Sequence, residues 1–277
     1  MTKWFLLFLL PLTLAVATLT ATTQDANTLA VKGHTTFLEV LGGDVGKFDE
    51  AIKLMEQARD LDPANTSNLY NLGRAYFYDA LTNNKPESAL KAEKTIAKLM
   101  ELKPSDTRAL SFHGSLLTAM SAGKDVAMFM KGAQEMKAAI EKDPKNINNR
   151  IVLALTSQNF PPQALAAMGN YDSLQDLEFV RDAFNGQTFY YAPHADVMMK
   201  AFVADAYRRK GDQAKARENF EAALAVPKPS KTGDKAGREL IDAAIRARMN
   251  GGEKPLASGA LSGCHSCHLN APEKLLR

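Results

Sequence analysis

Leu61-Asp62-Pro63, Leu102-Lys103-Pro104 and Lys142-Asp143-Pro144 punctuate the chain, and their prolines fall 41 and 40 residues apart. Each triplet closes an amphipathic run: Ala51, Ile52, Leu54, Met55 and Ala58; then Ala92, Ile96 and Leu99; then Met136, Ala139 and Ile140. Apolar residues three and four apart make one stripe along an α-helix. Proline has no N–H for the next turn, so a proline just beyond such a stripe stops the helix. Between the stops there is room for one more helix, as in residues 69–76. A stripe and a stop returning at a near-constant period mark an array of helical repeats.

The residues inside each period carry a resemblance to the tetratricopeptide repeat. Leu69, Leu72, Gly73 and Tyr76 stand where that family has its first-helix pattern, followed by Ala92 and Pro104. Leu110, Gly114 and Leu117, then Met136, Ala139 and Pro144, repeat it more weakly, and Ala204, Tyr207, Gly211, Ala216, Phe220 and Ala223 form the clearest copy. The match covers residues 49–229. It implies an all-α, tetratricopeptide-like helical-hairpin array (an α-solenoid) whose concave face holds a protein partner. The period exceeds the family's 34 residues, which predicts longer turns at 82–87 and 121–125.

Other helices are predicted over 151–157, 173–184 (capped by Asp172 or Ser173), 200–210, 213–225 and 238–249. Gly211-Asp212 is the turn between 200–210 and 213–225. Asn250-Gly251-Gly252 closes the last helix, where glycine takes the left-handed conformation. Residues 228–235 have a linker's composition. The aromatic cluster from Phe189 to His194 reads as packing between repeats, with a binding groove as its rival. Asp205, Arg208 and Arg209 read as ordinary surface pairing.

Of the 277 residues, 45% are apolar and 23% charged, and 34 Lys and Arg oppose 31 Asp and Glu for a net charge of +3. That much apolar surface excludes disorder as the main state, and the near-neutral balance leaves no electrostatic footprint for nucleic acid. The N-terminus has the tripartite form of a secretory signal: Lys3, an apolar stretch over residues 4–14, and Ala15-Val16-Ala17. The apolar stretch to Leu19 falls short of the ~20 residues that span a bilayer, and Pro11 interrupts it. Cleavage of residues 1–17 predicts a soluble periplasmic protein; retention as an anchor is the alternative.

Cys264-His265-Ser266-Cys267-His268 is the sharpest chemical signal, with both cysteines of the chain in one C-x-x-C-H. Two thiols at this spacing reach the two vinyl groups of a porphyrin, and the following histidine is delivered beneath the ring. Cys264, Cys267 and His268 are therefore the predicted binders of one covalent haem c, with His268 on the iron and His265 turned away. The rivals are weaker. A thioredoxin-like pair belongs to a βαβ unit that is not readable here. Four zinc ligands within five residues do not readily surround one ion, and an inert disulfide remains. Placement near the C-terminus is similar to that in the cytochromes related to cytochrome c′. The sixth ligand is left open among His34, His113, His194, Met198, Met199 and Met249, or a five-coordinate iron, with His194 and Met249 the better candidates.

This divides the chain into a signal (1–17), a repeat domain (26–227), a linker and helix (228–250) and a haem-attachment segment (251–277). The expected function is that of an exported monohaem cytochrome: one-electron transfer, with the array docking a redox partner; an enzyme is the less favoured reading, and haem-based sensing or peroxidase activity would require an open coordination site. The alternative is a periplasmic scaffold or assembly factor whose haem is structural or absent.

Overall fold

The structure, a computed structural model, describes residues 6–252 except 43, 122–123, 186, 188–191 and 230–231; for 6–23, 45, 232–234 and 236 it describes the backbone alone. The described residues form helices α1 (Leu6–Leu41), α2 (Phe48–Leu61), α3 (Thr66–Thr82), α4 (Pro86–Leu102), α5 (Thr107–Ser121), α6 (Val126–Lys142), α7 (Ile147–Thr156), α8 (Pro162–Ala167), α9 (Ser173–Phe184), α10 (Ala195–Arg209), α11 (Gln213–Ala225) and α12 (Thr232–Met249). No strand occurs among them. None of these helices is long and apolar enough to cross a membrane.

Helices pair as hairpins, α1 with α2, α3 with α4, α5 with α6 and α10 with α11, and successive pairs meet through α2 on α3, α4 on α5 and α6 on α7. This is the tetratricopeptide-like array that the repeat pattern implies. The three Pro triplets build one junction three times. Asp62, Lys103 and Asp143 each leave the helix with φ near −140° and ψ near 80°, while their N–H groups donate back to the carbonyls of Ala58, Leu99 and Ala139. Three residues on, Asn65, Asp106 and Asn146 start the next helix. Asn65 accepts from Asn68 N, Asp106 from Arg108 N, and Asn146 from Asn148 N, which satisfies N–H groups that a helix start leaves without partners. Asn68 and Asn149 then donate across the junction to the carbonyls of Met55 and Ala139.

The core runs along the array in three stretches. Phe37, Leu72, Ile96 and Leu116 belong to the one that joins α1 through α5. Met136, Leu153, Phe160 and Met168 form a smaller middle stretch. Leu177, Met198, Phe202, Phe220, Ile241 and Ile245 fill the last, which joins α7 and α9 through α12. The array thus begins earlier than the resemblance, since Phe37, Val40 and Leu41 of α1 are buried. It also closes with α12, which starts at Thr232, within the stretch whose composition suggested a linker. The other predicted helices lie close to the observed ones: α9 and α11 match, Asp172 is the α9 cap, and α7 and α10 start four and five residues earlier than predicted.

Where α5 crosses α6, Gly114 faces Gly132, and a Cβ on either would lie 2.4 Å from the other's carbonyl oxygen. Neither backbone can yield without parting the hairpin. Gly132→Ala should therefore cost about 1–3 kcal/mol in urea unfolding, as overpacking does. Gly46→Ala, whose Cβ would meet nothing closer than 3.7 Å, should stay within about 0.5 kcal/mol of wild type.

Candidate functional site

A cleft of about 300 Å³ opens where α2, α3 and α4 converge. Its floor is polar. The Tyr76 hydroxyl donates to Glu56 Oε1 at 2.5 Å, and burial, followed by that carboxylate, drives its pKa well above the ordinary phenol value. Asp79 is buried, yet Ser88 Oγ donates to it at 2.6 Å, Asn83 Nδ2 donates at 2.6 Å and Lys85 pairs with it at 3.2 Å. Burial raises the Asp79 pKa, and these three partners outweigh it and hold the carboxyl low. Lys53, Glu87 and Lys91 rim the opening. Among the described residues no three His, Cys, Asp or Glu converge as metal ligands.

His113 is buried in α5 between two carboxylates from neighbouring helices. Its Nδ1 lies 2.6 Å from Glu135 Oε2 of α6, and its Nε2 lies 3.5 Å from Glu93 Oε1 of α4. Burial pulls the imidazole pKa down, but the hydrogen bond and charge of Glu135, reinforced by Glu93, raise it above 6.5. A raised folded-state pKa means that the stabilisation is complete below the unfolded value and fades as pH rises through the folded one. Urea midpoints measured from pH 5.5 to 8.5 should show wild type losing its advantage over His113→Gln as pH increases.

The candidate sixth ligands lie in very different places. His194 is 1% exposed at the start of α10, and Met198 and Met199 are buried beside it in the last core stretch. Met249 is half-buried against that same core. His34 is half-buried in α1, its pKa lowered by burial and by Arg74. His113 already holds its two carboxylates. The aromatic residues 189–191 lie outside the described residues.

One surface assignment is corrected. Asp205 is 0% exposed: Arg208 Nε donates to it at 3.0 Å, and Arg209 Nε lies 3.7 Å away. It is enclosed because α12 packs on α10 and α11. The same closure buries Arg238, whose partner Asp242 lies one helical turn on.

Cys264, Cys267 and His268, with His265, lie outside the described residues. The chemistry of the donor set fits haem c: two thiols for the vinyl carbons and one imidazole for the iron. Gly251, at φ +96°, closes α12 in the left-handed conformation expected of it.

No protein-family model matches the chain, and no curated protein matches it. Solved structures similar to it include YrrB, described as a TPR protein with an unusual peptide-binding site, at 15% identity over 74% of this chain and 90% of that one, with a TM-score of 0.40. MamA is similar at 20% identity over 73% and 90% of the two chains, with a TM-score of 0.41. PilF of Pseudomonas aeruginosa is similar at 14% identity over 80% and 86%, with a TM-score of 0.47.

Proposed function

We propose that this chain is an exported docking scaffold in which the hairpin array holds a protein partner. We propose also that a haem c, linked at Cys264 and Cys267 with His268 on its iron, lets the complex pass single electrons. The observation that carries the docking half is the stacked array itself: identical junctions hold successive hairpins in register, and side chains around the α2–α4 cleft are fixed in place by hydrogen bonds. A rigid, polar-rimmed surface loses little entropy when it binds. The haem half is supported by C-x-x-C-H downstream of a secretory-type N-terminus. When bound, the haem supplies an iron that cycles between ferric and ferrous states. The chain's own residues anchor it, ligate it and set its exposure.

The experiment is an intact mass of the exported full chain from a host with haem-attachment machinery. The mass should exceed that of the cleaved polypeptide by one haem, and Cys264→Ala with Cys267→Ala should remove the increment. A haem-free wild type that still binds its partner would leave the scaffold reading alone. Reversing Lys53 and Lys91 to Glu should release that partner without lowering the melting temperature.

A further inference from the structure

Phe112 and His113, neighbours on α5, sit at the joint between the second and third hairpins. Phe112 reaches back to α3, its ring 5.6 Å from that of Phe77 and 6.1 Å from that of Tyr70. His113 faces two other helices at once. Its Nδ1 lies 2.6 Å from Glu135 Oε2 of α6 and its Nε2 lies 3.5 Å from Glu93 Oε1 of α4, with the side chain only 6% exposed. Both ring nitrogens are engaged, so neither is left for an iron. The ionisable groups facing the ring are those two carboxylates, and Lys131 stands 3.9 Å from the other oxygen of Glu135. The lysines of α4 are exposed. Besides His113, α5 carries Arg108, which Asp106 holds at 3.1 Å. From α3, Arg74 lies over the rings of Phe37 and Tyr70, and Asp79 is paired with Lys85. α7 also packs on α5, and its one ionisable residue, Arg150, is bound to Asp176.

A protonated imidazole has two N–H groups, one for each carboxylate, whereas a neutral imidazole has one. Glu135 makes the shorter contact, so it keeps the remaining N–H when the proton leaves. Nε2 then turns a lone pair towards Glu93, acceptor against acceptor. Glu93 is the freer of the two carboxylates, with its side chain 30% exposed against 15% for Glu135, and it can go over to water. The contact within the third hairpin does not slacken in its place, because Gly114 and Gly132 hold α5 and α6 backbone to backbone. Burial pulls the imidazole pKa down, and Glu135 and then Glu93 outweigh it and raise it above 6.5, which keeps the proton exchangeable near neutral pH. We infer that His113 is a proton-operated bolt between the hairpins: with its proton it ties α4 to α6, and without it Glu93 lets go and the contact of Phe112 with α3 loosens. Its use rests on the docking reading above, in that a partner lying across both hairpins is gripped in acid and released as pH rises.

Nuclear magnetic resonance of the full chain, with labelled Phe, Tyr and His rings, tests this without any partner. From pH 5.5 to 8.5 the Phe112–Phe77 and Phe112–Tyr70 cross-peaks should lose at least half of their intensity, with the same midpoint as the His113 ring. The Phe129–Phe160 cross-peak, between rings 4.7 Å apart beyond the joint, should hold steady and so exclude general loosening. Glu93→Gln should keep the Phe112 cross-peaks at both ends of the range, because an amide accepts from the protonated ring and donates to the neutral one. His113→Gln should make them independent of pH, and if that variant folds poorly the Glu93 variant decides alone. Cross-peaks that stay constant while His113 titrates, or that fall equally in Glu93→Gln, would overturn the bolt. So would a His113 that keeps one protonation state across the range. Failure of the docking reading is a separate result, a partner indifferent to the reversal of Lys53 and Lys91, and it leaves the bolt standing.

Discussion

Arg238→Ala should lower the unfolding free energy of the last core stretch by about 3–5 kcal/mol, the cost of stranding one half of a buried ion pair. The guanidinium is 1% exposed. Its Nε donates to Asp242 Oδ1 at 2.7 Å, its Nη2 to the carbonyls of Ala223 and Leu224 at 3.2 and 3.3 Å, and its Nη1 to Pro227 at 3.2 Å. Those carbonyls belong to the C-terminal end of α11 and the residues just after it, where helix geometry provides no donors and the macrodipole favours a cation. One side chain thus caps α11 and fixes α12 on it. Removing it leaves Asp242, 4% exposed, with only Lys228 at 3.6 Å. Arg238→Lys keeps the charge but cannot reach three carbonyls in a fork, so it should recover less than half of the loss. Arg238→Ala with Asp242→Ala should be milder than Arg238→Ala alone, because no unpaired charge remains. Urea unfolding and hydrogen exchange of the α12 amides measure this, and a double variant as damaged as the single would refute the buried-pair account.

On the haem reading, His268→Ala should change the visible spectrum in both oxidation states, whereas His265→Ala should leave it nearly unchanged. Thioether bonds from Cys264 and Cys267 would pin the backbone along one ring edge, and the residue after the second of them is the one brought beneath the iron. His265 lies between the two attachment points and turns outward. Its loss should shift the potential only modestly, through reduced polarity near the haem edge. Spectra of purified ferric and ferrous protein, with haem mass as the control for attachment, decide the ranking. The opposite order would overturn the ligand assignment and restore zinc as a contender.

How much of this was legible in the sequence follows from how local each signal is. The stop-and-cap junctions are written within six residues, so the period, the α9 cap at Asp172 and the Gly211 turn, at φ +85°, could be read directly. Close packing showed as well, since Gly73 and Gly114 sit where helices touch and a larger residue cannot fit. Pairings between distant helices left no such trace. Nothing in the sequence links His113 to Glu93 and Glu135, 20 and 22 residues away, or Arg248 to Asp205, because each pair exists only once helices have stacked. Asp205 misled for a related reason. A charge on a polar-looking helix reads as solvated until a later helix covers it, and α12 does that from beyond a linker-like stretch. The motif residues Cys264, Cys267 and His268 are legible in chemistry alone.

The three separate core stretches have a consequence for how the molecule comes apart. Hairpins in such an array are stabilised by their neighbours, so its cooperativity reaches only as far as the interfaces are strong. Here the α1–α5 stretch and the stretch from α7 onward are joined across α6 to α8, where the core is smallest. Denaturant should act there as on a chain with a weak link. Far-ultraviolet circular dichroism should show two overlapping transitions rather than one, with an intermediate that keeps one block folded. Gly132→Ala should move the transition of the first block, and Arg238→Ala that of the second, each leaving the other near its wild-type midpoint.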